Sequence, residues 1–144
     1  MSLQRRSTLQ RPDGLEALRY EHIAAITASV AGSGRLVRLA PYVLASTGEE
    51  RRADLALITR HVIAAGMEVT SVSFADTGQP LPIRERSGWR AACQHAKQGF
   101  AHGIVAIARP AITTDPREYE AVLTDLFTHR LFLVFLPTED DSGW

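Results

Sequence analysis

Two short runs in the second half of the chain, Gly103-Ile-Val-Ala-Ile-Ala108 and Leu131 to Leu136, contain no polar residue. A strand without polar positions has both faces covered, as in a parallel sheet lying between layers of helix. Between the two runs the sequence marks a helix start: Asp115 as cap, Pro116 at the first helical position and Glu118 at the third. Tyr119, Val122, Leu123, Leu126 and Phe127 follow at the spacing of one buried helix face. A helix joining two fully buried strands is a crossover, and crossovers connect parallel strands.

The first half repeats this alternation. Leu36 to Ala45 reads as a first strand, and Ser46-Thr47-Gly48 as the turn that leaves it. Pro41 lies inside this strand and removes a ladder donor, so the strand is an edge there or its bonded part is short. Glu49 to Ala65 predict a helix with Leu55, Ile58, Val62 and Ala65 on one face and Gly66 as its stop. A strand over Met67 to Phe74 leads to a loop over Asp76 to Pro82, then to a short helix carrying Trp89, Ala92, Cys93 and Ala96 and ended by Gly99. Trp89 is expected in the core or under a lid. Ahead of everything, Asp13 and Glu16 form a capping-box pattern, and Leu15, Leu18, His22, Ile23, Ile26 and Val30 recur at helical spacing up to Gly32-Ser-Gly34. No hairpin signal separates the strands. The expected fold is α/β: a small doubly wound domain with a four-stranded, mainly parallel sheet and an extra N-terminal helix. The expected boundaries are a flexible N-terminus (1–12), the N-terminal helix (13–34), the α/β domain (35–138) and an acidic tail (139–144).

The totals exclude several function classes. A chain of 144 residues holds one substantial core. Its formal net charge is zero, whereas a stand-alone nucleic-acid binder carries a basic excess to neutralise phosphates. The single cysteine, Cys93, forms no intrachain disulfide and points to a reducing compartment. The five histidines show no metal-ligand spacing with Cys93 or the carboxylates, so neither metal nor cofactor is expected. No apolar run reaches the ~20 residues a membrane span needs, and no apolar stretch follows the basic N-terminus, so the expected location is cytoplasmic.

Ser46 is the first candidate for chemistry, because a serine at the carboxyl end of the first strand of an open α/β sheet sits where such folds bind ligands. As a bare position, a serine at a strand–helix junction is more often a turn or cap residue than a nucleophile. Tyr42, Ser46 and Thr47, the Asp76-Thr-Gly78 loop, Arg86-Ser-Gly-Trp89 and Ala108-Arg109-Pro110 occur in this order on one α/β frame. In these features, from about Arg38 to Thr138, the chain resembles the catalytic domain of resolvase/invertase-type serine recombinases. The resemblance implies a catalytic set of Ser46, Arg86 and Arg109, in which the serine attacks a DNA phosphodiester inside a cage of arginines. Arginine suits that task because its planar fork binds phosphate bidentately and stays charged.

The chain also departs from that pattern. Leu44, Ala108 and Ile112 stand where the family carries an arginine, an aspartate and another arginine, and Glu50 stands near its glutamine. A lost charge contact worth about 3 kcal/mol slows a transition state roughly 10²-fold. Arg38 and Arg51 are the available substitutes. The family's long interface helix and DNA-binding module are not found after Leu136. The leading expectation is therefore a degenerate resolvase-like domain, a pseudoenzyme serving as a binding or regulatory module, with DNA or a DNA-binding protein as partner. The alternatives are an active Ser46-dependent strand-transfer or nicking subunit that relies on a DNA-binding partner, and an oligomerising α/β protein that binds a small anion. In the last, helix 13–31 supplies a homo-oligomer surface; packing of that helix on the sheet is the plainer expectation.

Overall fold

The computed structural model describes residues 14–137. Its elements run α1 Gly14–Gly32, β1 Arg38–Ala45, α2 Gly48–Ala64, β2 Glu68–Val69, β3 Phe74–Thr77, α3 Ser87–His95, β4 Gly103–Ala106, α4 Pro116–Thr128 and β5 Phe132–Phe135. The expected capping residue of α1, Asp13, and the acidic tail lie outside the described residues.

All strand pairings are parallel, in the order β2-β1-β4-β5, with β3 also paired to β1. The sheet thus has five strands where the sequence predicts four, because the expected strand 67–74 is bonded only at 68–69 and a second short strand, 74–77, starts at its last residue on the same side of β1. Pro41 accounts for the split. The carbonyls of Val37 and Leu39 accept from Glu68 and Thr70 of the β2 segment, whereas the carbonyl of Arg38 accepts from His102 on the β4 side. By strand alternation, the amide that Pro41 lacks faces the β2 side. The ladder stops there and resumes with Tyr42 opposite Phe74. So Pro41 sits in a central strand, not at an edge, and only its bonded partner is short. As a further consequence, Asp76 and Thr77 belong to β3 and not to the expected loop.

The alternation of β1 sorts the core into two layers. Ala40 and Tyr42 face a cluster with Trp89, Ala92 and Cys93 of α3 and Tyr119, Val122, Leu123 and Leu126 of α4. Leu39, Val43 and Ala45 face the other, with Ile58 and Val62 of α2 and Ile26 and Val30 of α1. Helices therefore cover both faces, and the domain is doubly wound. Phe127, expected in the buried face of α4, is 41% exposed and stacks on His22 at 3.9 Å instead.

α1 closes the β5 edge of the sheet. Arg19 is buried at 5% exposure and donates from Nη1 to the carbonyl of Leu133, while Nε and Nη2 bind Glu16 Oε1. A paired charge thereby satisfies an outward carbonyl of β5, which otherwise templates strand addition. The sequence pattern of α1 missed Arg19, since a buried arginine does not read as a core position. With Arg19, His22, Ile26 and Val30 buried, the inner face of α1 is occupied by its own domain.

Three helices that lead into strands end alike. After α1, Gly34 takes φ 78° and Arg35 N–H returns to Val30 O; after α2, Gly66 takes φ 82° and Met67 N–H returns to Val62 O. After α4 the same bonds form, Leu131 N–H to Leu126 O, but the left-handed residue is Arg130 at φ 60°. Glycine is the usual occupant of this position; an L-side chain there costs roughly 1–2 kcal/mol.

Candidate functional site

Between β1 and β4 the winding reverses: β1 connects through α2 to β2 on one side, and β3 connects through α3 to β4 on the other. Ligands of open α/β sheets bind at the carboxyl ends of the strands beside such a reversal. Ser46 follows β1 there, and Arg109 follows β4.

Ser46 is exposed. Its surroundings are those of a helix cap: Thr47 Oγ1 accepts from Glu50 N–H at 3.0 Å, and the Glu50 carboxylate accepts from Ser46 N–H at 2.6 Å. This is a capping box shifted by one residue. Glu49 and Glu50 complement the positive end of α2. The helix terminus that could greet an external anion thus already holds a carboxylate. Among the described residues, Ser46 Oγ makes no hydrogen bond to a histidine, carboxylate or arginine, so no base is in place to activate it.

Arg86 is buried at 5% exposure, and its guanidinium serves three segments. Nε donates to Leu81 O at 2.8 Å, and Nη1 donates to Ala111 O at 2.9 Å and more weakly to Tyr42 Oη at 3.4 Å. It ties the 78–82 loop and the Arg109–Ala111 turn to the middle of β1. Arg109 turns toward α4, with its guanidinium over the Tyr119 ring at 4.0 Å. The Tyr119 hydroxyl in turn donates to Glu16 of α1 at 2.6 Å. The structure therefore brings Arg86 to the turn that carries Arg109, but it brings neither guanidinium into hydrogen-bonding contact with Ser46.

The centre that the side chains do build is Tyr42, Asp76 and Arg86. Asp76 accepts from Tyr42 Oη–H at 2.8 Å, from Gly88 N–H at 2.8 Å and from Trp89 N–H at 2.9 Å. The cap residue of α3, Arg86, makes no side-chain capping bond, so the carboxylate of a neighbouring strand caps the helix from outside. Burial raises the Tyr42 pKa above the ordinary tyrosine value; Arg86 opposes the shift and Asp76 adds to it. The phenol stays protonated and donates. Trp89 packs edge-on to Tyr42 at 5.2 Å, inside the core. Tyr42 and Asp76 stood in the motifs behind the resemblance, but sequence order alone does not tell that they form one hydrogen-bonded unit.

Other candidates sort by position. Arg38 lies at the amino end of β1, paired with Glu68 at 3.1 Å, and cannot replace a missing cation at the rim. Arg51 and Arg52 line a groove of about 350 Å³ between α2 and β3. Glu118, expected as a capping residue, instead accepts from Ile83 N–H at 3.0 Å and from the Thr113 hydroxyl, while Asp115 alone caps α4 through Arg117 N–H. Burial pushes the Cys93 thiol up to about 12, so it is no nucleophile at neutral pH. Among the described residues, no helix is long and apolar enough to cross a membrane. No family model, no curated protein and no solved structure matches the chain.

Proposed function

We propose that the chain is a resolvase-like α/β domain that performs no strand transfer and serves as a binding or regulatory module for a DNA-associated partner. The observation that carries this is the commitment of the Arg86 guanidinium to Leu81 O and Ala111 O inside the core. A phosphoryl-transfer site needs cations aimed at the phosphate oxygens, because little else lowers that barrier. Leu44, Ala108 and Ile112 add no charge, and Glu50 adds a negative one at the Ser46 backbone amide. A formal net charge of zero favours recruitment through a partner protein over direct capture of DNA.

The test is incubation of the protein with supercoiled DNA, beside Ser46→Ala, followed by denaturing electrophoresis. Wild type and variant are expected to give the same background nicking and no protein–DNA adduct. A covalent adduct formed by wild type and absent from Ser46→Ala would overturn the proposal in favour of an active nicking subunit.

A further inference from the structure

The end of the sheet opposite Ser46, where the strands begin, carries its own cluster of basic side chains. Arg35 precedes β1, His102 precedes β4 and Arg130 precedes β5, so the topology sets all three along one edge. They line a groove of about 560 Å³ with Val30 and Phe127 as apolar wall and Ser29 as a hydroxyl donor. An adjoining cleft of about 260 Å³ shares Arg35 and His102 and adds Arg38 and Glu68. Glu68 is paired with Arg38, whereas among the described residues neither Arg35 nor Arg130 has a carboxylate at ion-pair distance.

Two further observations point to a ligand. First, Arg38 N–H donates to His102 Nδ1 at 2.9 Å, which leaves the neutral ring's proton on Nε2. Arg35 Nη2 lies 3.2 Å from that Nε2. A guanidinium only donates, so two donors face each other and an acceptor beside them is wanting. Burial, then Arg35 and Arg38, lower the His102 pKa from the ordinary histidine value, with Glu68 alone opposing. Second, Arg130 holds the left-handed position that Gly34 and Gly66 fill in the equivalent helix ends. A non-glycine residue in this conformation is uncommon, and such outliers cluster at ligand clamps and other functional sites.

We propose that Arg35, His102 and Arg130 bind the phosphate group of a small organic phosphate whose apolar body lies against Val30 and Phe127. Two guanidinium forks and a ring N–H supply charge-assisted donors for its oxygens. The site is independent of Ser46 and of the function proposed for the opposite rim.

The test titrates ¹⁵N-labelled protein with inorganic phosphate and with phenyl phosphate at constant ionic strength. Saturable shifts are expected in the amides of 34–38, 101–103 and 128–131, at lower concentration for phenyl phosphate. Arg35→Gln and Arg130→Gly are each expected to weaken binding about tenfold. Arg130→Gly also relieves the left-handed backbone, so its melting temperature should equal or exceed that of wild type, which separates lost binding from lost folding. Shifts that do not saturate, that map elsewhere, or that persist unchanged in both variants would overturn the site.

Discussion

An arginine kept for an external phosphate and an arginine kept for the fold differ in what lysine can do in their place. Arg86 meets a carbonyl before it in sequence, a carbonyl after it and a phenol from β1, through two nitrogens held at fixed angles. Lysine preserves the charge but offers a single nitrogen on a shorter, flexible stem, and it cannot span Leu81 O and Ala111 O together. Arg86→Lys therefore leaves a buried carbonyl without its donor while keeping an ammonium in a poorly hydrated place. The expected loss is about 2–3 kcal/mol in urea unfolding, with the m-value unchanged. A variant as stable as wild type would show that the guanidinium does not hold these segments, and would remove the observation on which the proposed non-catalytic function rests.

At the scale of elements, the contact between β3 and α3 is set by what Gly88 lacks. A Cβ at Gly88 would lie 2.1 Å from the Ala75 carbonyl oxygen and 2.8 Å from Asp76 Oδ2. To make room, α3 must back away from β3, which stretches the bonds from Gly88 and Trp89 N–H to Asp76. Gly88→Ala is expected to cost about 2–4 kcal/mol, a fall in melting temperature on the order of 10 °C. Gly32, which also lies in a helix, has open space around it, so Gly32→Ala should change stability by less than about 1 kcal/mol. Equal melting temperatures for the two variants would refute the close-approach account. The same region marks what the sequence made legible. The fully apolar runs at 103–108 and 131–136 and the cap at Asp115 announced buried parallel strands and a crossover, since hydrophobic period and capping are local signals. The break between β2 and β3 was not readable in its own residues, because its cause is Pro41 on the neighbouring strand. The placement of Arg19, Arg86 and Glu118 was equally hidden: each bonds a group distant in sequence, and a charged letter does not say whether it faces solvent or a carbonyl.

For the molecule as a whole, two histidines bind the two ends of its architecture to pH. His22 of α1 is buried and stacked on Phe127 of α4, and burial lowers its pKa from the ordinary histidine value, with Glu21 opposing. His102 accepts from Arg38 N–H at the start of the β1–β4 pairing, and its pKa is lowered too, by burial first and then by Arg35 and Arg38, against Glu68. In both cases the folded chain prefers the neutral ring, so as pH falls through about 6.5 the unfolded chain takes up protons first. The stability they contribute is complete above that pH and is lost as pH falls toward the folded values. The window from pH 7 to 5.5 lies above the ordinary carboxylate range, which separates histidine titration from acid unfolding of other origin. The urea midpoint is expected to fall across this window in wild type. It should fall less in His102→Asn, whose amide oxygen can still accept from Arg38 N–H without titrating. A midpoint that stays level from pH 7 to 5.5 in wild type would mean that neither ring is held neutral by the fold. An equal fall in wild type and His102→Asn would remove His102 from the effect.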